Sequence, residues 1–496
     1  MLSLTILAAL VSLATANPRS GSLSVDTTVG TVVGVNEPAV PGVVQWLSVP
    51  YAEPPVGARR FLPPVAKNRG GLIHASQPPA SCQQWLTTKK DIYNQLDPQF
   101  LPPGPFSEDC LYLNIIAPKS PKSESLPVLL WLHGGEETWG GINTPYEKPH
   151  QWVQRSQEHI VVQINYRVNI FGFPNAKGLN QSQLNPGILD QRLAVEWVRD
   201  NIAKFGGNPE QMVFWGSSSG GALGDNYQYA YAKDPIIKGF ITQSAVAYMA
   251  NLSSDPGQTS FSYIAKQFNC SGKHTSAAQE VECMRKVDAG KIETFLQQHS
   301  DSGATPTLAF IPAADGKTAF TQAQYAAMAS NPKIPKLPGL VGSNLDDGAW
   351  AVTFSQAGPG AKTVALATAK GFQCPIAEYL NDRVTGDGKT FRYLYGGNFT
   401  NISPLPWVGS FHFSEIPLVT GTHPNYRGNS TSFEYKLSET MQDLWLAFAK
   451  DPTGGLAAKG WPQLTANGSL LALGVNDVLR QVKKISAVDQ LCASLS

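Results

Sequence analysis

Residues 212–224 read MVFWGSSSGGALG, a short apolar run followed by a turn rich in serine and glycine. The pattern Gly-x-Ser-x-Gly fits this stretch in one register, in which Gly216 and Gly220 lie two residues either side of Ser218. A strand, a sharp turn and a helix in this order form a nucleophile elbow, which exposes the serine hydroxyl above a sheet. A chance match in a Gly/Ser-rich turn is the alternative, and it would give Ser218 no chemical role.

Further short apolar runs indicate the other strands of that sheet. They cover residues 127–132, 160–165, 239–243, 339–342 and 391–395. Runs of this kind are typical of strands covered on both faces, as in a mostly parallel sheet. Apolar positions recur at helical spacing over residues 189–202, between two of these runs. Alternating strands and helices predict an α/β fold with right-handed crossovers, whose central twisted sheet is flanked by helices.

The N-terminus predicts a secreted protein. Residues 1–16 contain an apolar stretch that ends in Ala14-Thr15-Ala16, which fits the small-x-small cleavage pattern of a signal peptide. A membrane anchor is the alternative, but the stretch is too short to span a bilayer comfortably. We therefore expect a signal peptide over residues 1–16 and a single domain over residues 17–496. Residues 250–335 are polar and irregular, and we expect them to form an insertion above the sheet.

Cysteines and glycosylation motifs agree with an extracellular location. The six cysteines are even in number and have no metal-site spacing, so disulfide bonds are favoured over a metal site. Seven N-x-Ser/Thr sequons suit a glycosylated surface. The candidates for glycosylation are Asn180, Asn251, Asn269, Asn398, Asn401, Asn429 and Asn467.

The charge pattern excludes two classes of partner. The formal net charge is +1, and Lys and Arg are scattered along the chain. This gives no basic footprint for nucleic acid and no polybasic patch for a membrane surface. Because no later apolar run is long enough to cross a bilayer, we also expect no stable membrane anchor.

A serine nucleophile needs a histidine base and a carboxylate that orients it, and in this fold they follow the serine in the order acid, then histidine. Of the later histidines, His274 and His299 lie in the polar insertion, whereas His412 lies in a loop beyond the last predicted strand. Asp346 and Asp347 directly follow the predicted strand at residues 339–342, and the residues alone do not choose between them.

Several longer segments make the chain recognisable. They are VPYAEPPVGARRF (49–61), SEDCLYLNI (107–115), NYRVNIFGF (165–173) and NPGILDQRLAVEWVRDNIAKFGGNP (185–209). With these segments the chain resembles the type-B carboxylesterase and cholinesterase family of α/β hydrolases over residues 30–492. The resemblance implies the α/β-hydrolase fold and hydrolysis of carboxylic esters without a metal or organic cofactor.

The resemblance also implies roles for particular residues. Ser218 matches the family's nucleophile, His412 its base and Asp347 its acid, although family members usually carry Glu at this last position. Two pairs of charges, Arg60 with Glu108 and Arg167 with Asp190, match structural salt bridges of the family. The implied disulfide bonds are Cys82–Cys110, Cys270–Cys283 and Cys374–Cys492.

The oxyanion loop departs from the family pattern. The family donates backbone N–H groups from a Gly-Gly-Gly loop and from the residue after the nucleophile, which here implies Gly135, Glu136 and Ser219 as donors. Glu136 replaces the third glycine, and Glu137 stands where an aromatic residue is usual. A side chain at positive φ would be strained by roughly 1 kcal/mol. A carboxylate near the oxyanion would oppose the developing charge unless it points away or is paired.

We therefore expect a secreted serine ester hydrolase that acts on a small-molecule or lipid ester through an acyl-enzyme. Ser217 replaces the family's glutamate before the nucleophile, so nothing favours choline esters. The segment between Cys82 and Cys110 is a candidate flap over the site. The main alternative is a catalytically silent binding protein of the same fold, and a third is a peptidase or amidase. The acyl chain length and the oligomeric state stay open.

Overall fold

The structure, a computed structural model, describes residues 23–249, 252–308 and 310–495. The predicted signal peptide at residues 1–16 and the sequon at Asn251 lie outside these residues. The strands, in chain order, are β1 (Ser24–Thr27), β2 (Gly30–Val33), β3 (Val35–Asn36), β4 (Val43–Pro50), β5 (Leu72–His74), β6 (Ser81–Cys82), β7 (Phe106–Ser107), β8 (Tyr112–Pro118), β9 (Leu126–Leu132), β10 (Ile160–Ile164), β11 (Gly207–Ser217), β12 (Gly239–Gln243), β13 (Gly339–Asn344), β14 (Thr390–Tyr395), β15 (Ser469–Leu473) and β16 (Arg480–Lys484).

Helices connect and cover these strands. In chain order they are α1 (Ile92–Gln95), α2 (His150–Ser156), α3 (Asn169–Gly172), α4 (Pro186–Asn201), α5 (Ser219–Ala230), α6 (Thr259–Gln267), α7 (Ala277–Met284), α8 (Ala289–Ser302), α9 (Gln322–Ser330), α10 (Ala361–Thr368), α11 (Cys374–Thr385), α12 (Ile416–Thr420), α13 (Ser432–Lys450), α14 (Ile485–Val488) and α15 (Gln490–Leu495). None of the helices in the described part of the chain is long and apolar enough to cross a membrane.

An 11-stranded sheet dominates the described residues, in the order β16-β15-β14-β13-β12-β11-β9-β10-β8-β4-β3. The seven strands from β15 to β10 run parallel, and antiparallel pairs complete both edges. The predicted α/β-hydrolase fold is confirmed. Because the central strands are parallel, their carboxyl ends meet at one edge of the sheet, where sites in such folds are built.

Strand β9 shows why the apolar runs form central strands. All seven of its residues are buried. Its side chains alternate between the two faces of the sheet, so Val128 and Leu130 pack into one hydrophobic core while Leu129 and Trp131 pack into the other. A strand buried on both faces needs apolar residues at every position, which is what PVLLWL supplies.

The expectation of an irregular insertion at residues 250–335 was wrong in its detail, since α6 to α9 lie there. Side chains of Ser276, Asp288 and Thr321 each accept a backbone N–H in the first turn of α7, α8 and α9. Ile292 and Leu296, four residues apart on α8, pack into a third hydrophobic cluster. Polar residues on the outer faces of these helices hid the helical periodicity.

Covalent and ionic links agree with those that the resemblance implied. Disulfide bonds join Cys82 to Cys110, Cys270 to Cys283 and Cys374 to Cys492. Arg60 binds Glu108 through two guanidinium nitrogens, and Arg167 binds Asp190 in the same way at 2.7 and 2.8 Å. Both arginines are buried, and such bidentate pairs fix segments that lie far apart in the sequence.

One of the predicted glycosylation sites is corrected by the structure. Asn401 is buried, and its Nδ2 donates hydrogen bonds to the His423 carbonyl, to Ser430 and to Glu434. A glycan would have to replace these bonds at the same nitrogen, so Asn401 is no longer a candidate. The asparagines of the other described sequons are exposed, namely Asn180, Asn269, Asn398, Asn429 and Asn467.

Candidate active site

The Gly-x-Ser-x-Gly stretch forms a sharp turn between β11 and α5. Ser218 lies between them at φ +52° and ψ −134°, a backbone conformation that L-residues rarely adopt. Its N–H donates a hydrogen bond of 2.8 Å to the carbonyl of Gln243 at the end of β12. The strained turn leaves the Ser218 side chain partly exposed above the sheet.

Both flanking glycines are required by close packing. A Cβ at Gly216 would lie 2.6 Å from the Gly220 carbonyl oxygen, and a Cβ at Gly220 would lie 2.2 Å from the carbonyl oxygen of Leu132. Both distances are too short for any side chain. The turn therefore depends on glycine on each side of Ser218, as a nucleophile elbow does.

A buried histidine and carboxylate lie near this turn. His412 Nδ1 is 2.9 Å from Asp347 Oδ1, and Asp347 has no exposed surface. The other carboxylate oxygen of Asp347 accepts the N–H of Asn344 at 2.7 Å. Because a carboxylate accepts hydrogen bonds, Nδ1 of His412 carries the proton, and Nε2 is left with a lone pair.

His412 lines the same cavity as Ser218, and Nε2 is the ring nitrogen that does not contact Asp347. Among the described residues this nitrogen is buried and has no hydrogen-bond partner. The ring of His412 is fixed by neighbouring rings, with centroids 4.5 Å from Phe413, 4.8 Å from Phe372 and 5.7 Å from Trp350. The imidazole of His412 and the side chain of Ser218 therefore belong to one site, although no hydrogen bond joins Nε2 to Ser218 in the described structure.

The structure distinguishes Asp346 from Asp347, between which the sequence alone did not choose. Asp346 accepts the N–H and the hydroxyl of Ser410 at 3.0 and 3.1 Å, and so supports the loop that carries His412. Asp347 contacts the imidazole of His412 itself. The preference for Asp347 that came from the resemblance agrees with this geometry.

The glycine-rich loop after β9 packs directly against the elbow. A Cβ at Gly134 would lie 2.7 Å from the Ser217 carbonyl oxygen and 2.9 Å from Ser218 Cβ. Gly135 has φ +113°, and its carbonyl accepts the N–H groups of Thr138 and Trp139 in a tight turn. The loop is thereby held within reach of the serine.

Three backbone N–H groups of this region are candidate hydrogen-bond donors. Within the described residues, the N–H groups of Gly135 and Glu136 donate no hydrogen bond. The N–H of Ser219 opens α5, where the first turn of a helix has no intrahelical acceptor. These are the donors that the resemblance implied, and a carbonyl oxygen at this position could accept from them.

The two adjacent glutamates of this loop diverge. Both have positive φ, +55° for Glu136 and +57° for Glu137. Glu137 is 1% exposed, and its backbone is fixed by bonds of its N–H to Ser219 Oγ and of its carbonyl to the Asn169 N–H. Glu136 lines the cavity that holds Ser218 and His412. The residue is exposed, but the protein atoms around its carboxyl group partly desolvate it and raise its pKa, and His412 opposes this rise.

Two cavities meet at Ser218. The first, which we call the aromatic cavity, has a volume of about 180 Å³ and is walled by Trp85, Tyr93, Trp139, Trp350 and Phe413. The second, the wide cavity, has a volume of about 520 Å³ and includes Ser244, Tyr248, Gln322, Phe372 and Glu378. Glu136 and Ser218 line both. The candidate flap of the sequence analysis, at residues 83–109, supplies part of the aromatic wall.

Sequence reasoning missed one buried carboxyl beneath the site. Glu415 accepts hydrogen bonds from the side-chain amides of Gln243 and Asn344 and has no exposed surface. Burial raises its pKa to about 7, and the nearby Asp347 adds to this rise. The single carboxylic acid in the mainly apolar run FHFSEIPLV was the signal that could have identified it.

Comparison with known proteins identifies the family. A model of the carboxylesterase family matches residues 21–365 and 357–489. The chain belongs to this family. The resemblance found in the sequence is confirmed, and with it the α/β-hydrolase fold.

Relatives along the whole chain agree. The chain is 43% identical to a chlorogenic acid esterase of Aspergillus niger over 466 residues, which cover 92% of this chain and 89% of that protein. It is 39% identical to secreted lipase 5 of Gibberella zeae over 519 residues, or 96% of each protein. Identity to an acetylcholinesterase of Bungarus fasciatus is 27%, over 90% of this chain and 82% of that enzyme. The protein is a carboxylic ester hydrolase, and the alternative of a silent binding protein is not supported.

The raised pKa of Glu415 makes the stability of the protein depend on pH. Below about pH 4.5, its ordinary value, Glu415 is protonated in both the folded and the unfolded chain. Between about pH 4.5 and 7 the unfolded chain ionises while the folded protein holds the proton, so stability falls as pH rises through this window. We expect Glu415→Gln to flatten this fall by about 1–3 kcal/mol.

Urea denaturation from pH 4 to pH 8 measures this slope. Some slope should persist in the variant, because burial also raises the pKa of Asp97 to about 7 and that of Glu147 to about 8. The readout is the change in the free energy of unfolding with pH. The absolute stability of the variant is not compared, because the glutamine side chain also changes the hydrogen bonds at this position. Identical slopes in the two proteins would contradict the assignment of a protonated Glu415.

Proposed function

We propose that the protein is a secreted serine esterase that works through an acyl-enzyme, with Ser218 as nucleophile, His412 as base and Asp347 as the acid that orients it. One observation carries this proposal. The ring of His412 bonds Asp347 through Nδ1, its Nε2 has no partner among the described residues, and His412 lines the same cavity as Ser218. A histidine held in this tautomer can take a proton from a serine and return it to a leaving group.

The reaction follows from these positions. Ser218 Oγ attacks the ester carbonyl carbon while its proton passes to Nε2 of His412, and the carbonyl oxygen becomes an oxyanion. Breakage of the C–O bond then releases the alcohol, which takes the proton from His412 and leaves the acyl group on Ser218. A water molecule attacks the acyl-enzyme by the same proton relay, which releases the acid and restores the serine.

The oxyanion is stabilised by backbone donors in this proposal. Gly135, Glu136 and Ser219 would donate, and removal of a single donor from such a site costs about 3–4 kcal/mol of barrier. Glu136 keeps its N–H, although it takes the positive φ that glycine adopts at lower cost. The donor set is therefore complete despite the substitution.

The shape of the site favours a compact ester with an aromatic part. Ser218 lies where the two cavities meet, so the acyl and alcohol parts of an ester would occupy one cavity each. The aromatic cavity suits a flat ring, because rings pack edge-to-face or offset against tryptophan and tyrosine. One relative is named for chlorogenic acid and another as a lipase. We infer a small aromatic or short-chain ester rather than a long-chain triglyceride.

Ser218→Ala tests the nucleophile. We expect no turnover of p-nitrophenyl acetate above background, because an alanine cannot form the acyl-enzyme. The wild-type protein should also be labelled covalently by a fluorophosphonate, and the variant should not. Turnover that survives the substitution, or a wild-type protein that resists the label, would overturn the proposed mechanism.

The two aspartates supply a matched pair for the acid. We expect Asp347→Asn to reduce kcat by roughly 10²- to 10⁴-fold, because an amide at this position can hold the imidazole in the wrong tautomer. Asp346→Asn should lose much less, since its carboxylate bonds Ser410 and not the imidazole. Steady-state kinetics on p-nitrophenyl acetate measure both. Equal losses of kcat in the two variants would contradict the proposed role of Asp347 as the acid that orients His412.

Secretion is tested by the N-terminus of the mature protein. Cleavage after Ala16 would leave Asn17 as the first residue. N-terminal sequencing of protein collected from the medium of a eukaryotic secretion host should therefore begin at Asn17. A protein that still carries residues 1–16 and stays in the cell fraction would contradict the prediction of a signal peptide.

A further inference from the structure

The walls of both cavities carry acidic side chains and no lysine or arginine within the described residues. Asp91 and Glu136 line the aromatic cavity. Glu136, Glu137 and Glu378 line the wide cavity. None of the salt bridges between described residues engages Asp91, Glu136 or Glu378. When these carboxylates are ionised, they make the potential inside the site negative.

The flap carries two basic residues, Lys89 and Lys90, and both are exposed. The ammonium group of Lys89 donates to the carbonyl of Ser300, near the end of α8. Asp91 of the same flap accepts the N–H of Asn94 as the cap of α1, a neutral donor. Asp91, Glu136 and Glu378 thus form no ion pair with a cation among the described residues.

Glu136 has the most direct position among these carboxylates. It lines both cavities, and its backbone belongs to the loop that packs against Ser218. The neighbouring Glu137 is buried and lines only the wide cavity, whereas Glu136 is exposed and lines both cavities. Any ester that reaches Ser218 must therefore pass close to the Glu136 carboxylate.

Unpartnered polar groups stand on the same walls. Among the described residues, neither the Trp350 indole N–H nor the Ser244 hydroxyl has a hydrogen-bond partner, and both are buried. Trp350 lines both cavities and Ser244 lines the wide one. A hydroxyl group on the substrate can accept a hydrogen bond from the indole N–H and donate one to a carboxylate of the wall. A carboxylate on the substrate can only accept hydrogen bonds.

We propose that Glu136 determines specificity, by excluding esters that carry a negative charge beside the reacting group and by admitting neutral, hydroxyl-bearing esters. This inference rests on the proposed function of the same site. An ionised group about 8 Å from Glu136, at an effective dielectric constant of about 20, would be repelled enough to lower kcat/KM by roughly 30-fold before screening by salt. After screening we expect about a tenfold discrimination.

Matched substrates measure this discrimination. 4-Acetoxybenzoate and 4-acetoxybenzamide have the same shape and the same acetyl group, but only the first carries a charge on the leaving group. At pH 8 and low salt, we expect the wild-type protein to hydrolyse the amide with a kcat/KM about tenfold higher. Monoethyl terephthalate and ethyl 4-carbamoylbenzoate repeat the comparison with the charge on the acyl side.

Variants then assign the effect to Glu136. The readout is the ratio of kcat/KM for the charged and the neutral substrate, so any common effect of a variant on oxyanion stabilisation cancels. Glu136→Gln should raise this ratio about tenfold, and Glu378→Gln should raise it less. Glu124→Gln is the control, because Glu124 is exposed before β9, at the end of the strand that faces away from the site. Its ratio should equal that of the wild-type protein.

Two outcomes would overturn the proposal. One is a wild-type protein with equal kcat/KM for the charged and neutral substrates, and the other is an unchanged ratio in Glu136→Gln. If Glu136→Gln does not fold, Glu136→Gly takes its place in the same comparison. The wild-type protein supplies a second test, because its ratio of kcat/KM for the charged to the neutral substrate should rise with NaCl concentration. Absence of any turnover of the neutral substrates would instead contradict the proposed function, so the two failures are distinguishable.

Discussion

The close approach of α5 to the end of β9 is the constraint on which the site depends. Gly220 lies so near the carbonyls of Leu132 and His133 that no side chain fits between them. This contact fixes the first turn of α5, and with it Ser218, against the loop that follows β9. A single packing requirement therefore brings a hydroxyl and the N–H groups of Gly135 and Glu136 together. Neither element would present this arrangement alone.

The parallel sheet supplies the remaining groups from strands that are distant in the sequence. Asp347 follows the carboxyl end of β13, and His412 lies in the long loop after β14. Because neighbouring parallel strands end at the same edge, both residues lie at the edge of the sheet that carries the elbow. Asn344 links them further, since its N–H binds Asp347 and its side chain binds Glu415 and the carbonyl of Phe411. The imidazole is oriented by a network rather than by one bond.

Much of this architecture could be predicted because it is encoded locally. Apolar runs identified the central strands, although β11 covers Gly207–Ser217 and so begins before the short apolar run at the start of residues 212–224. The helices of residues 250–335 were missed, because their stability comes from side-chain caps and from packing on a separate cluster. The choice between Asp346 and Asp347 needed either the resemblance or the structure, since both residues follow the same strand. The direction of Glu136 could not be predicted, because it depends on the sign of φ at three consecutive residues of one loop.

The Glu136 carboxylate has two opposite effects on the proposed reaction, one on the chemical step and one on release of the product. A carboxylate beside Ser218 opposes the negative charge that develops on the ester oxygen, and the positive φ adds strain. Ester hydrolysis, however, yields an acid that is an anion at neutral pH and an alcohol that is not. If Glu136 acts as proposed, the field that disfavours an anionic ester also disfavours the anionic product once the acyl-enzyme has been hydrolysed. The same carboxylate would then weaken the chemical step while accelerating release of the acid.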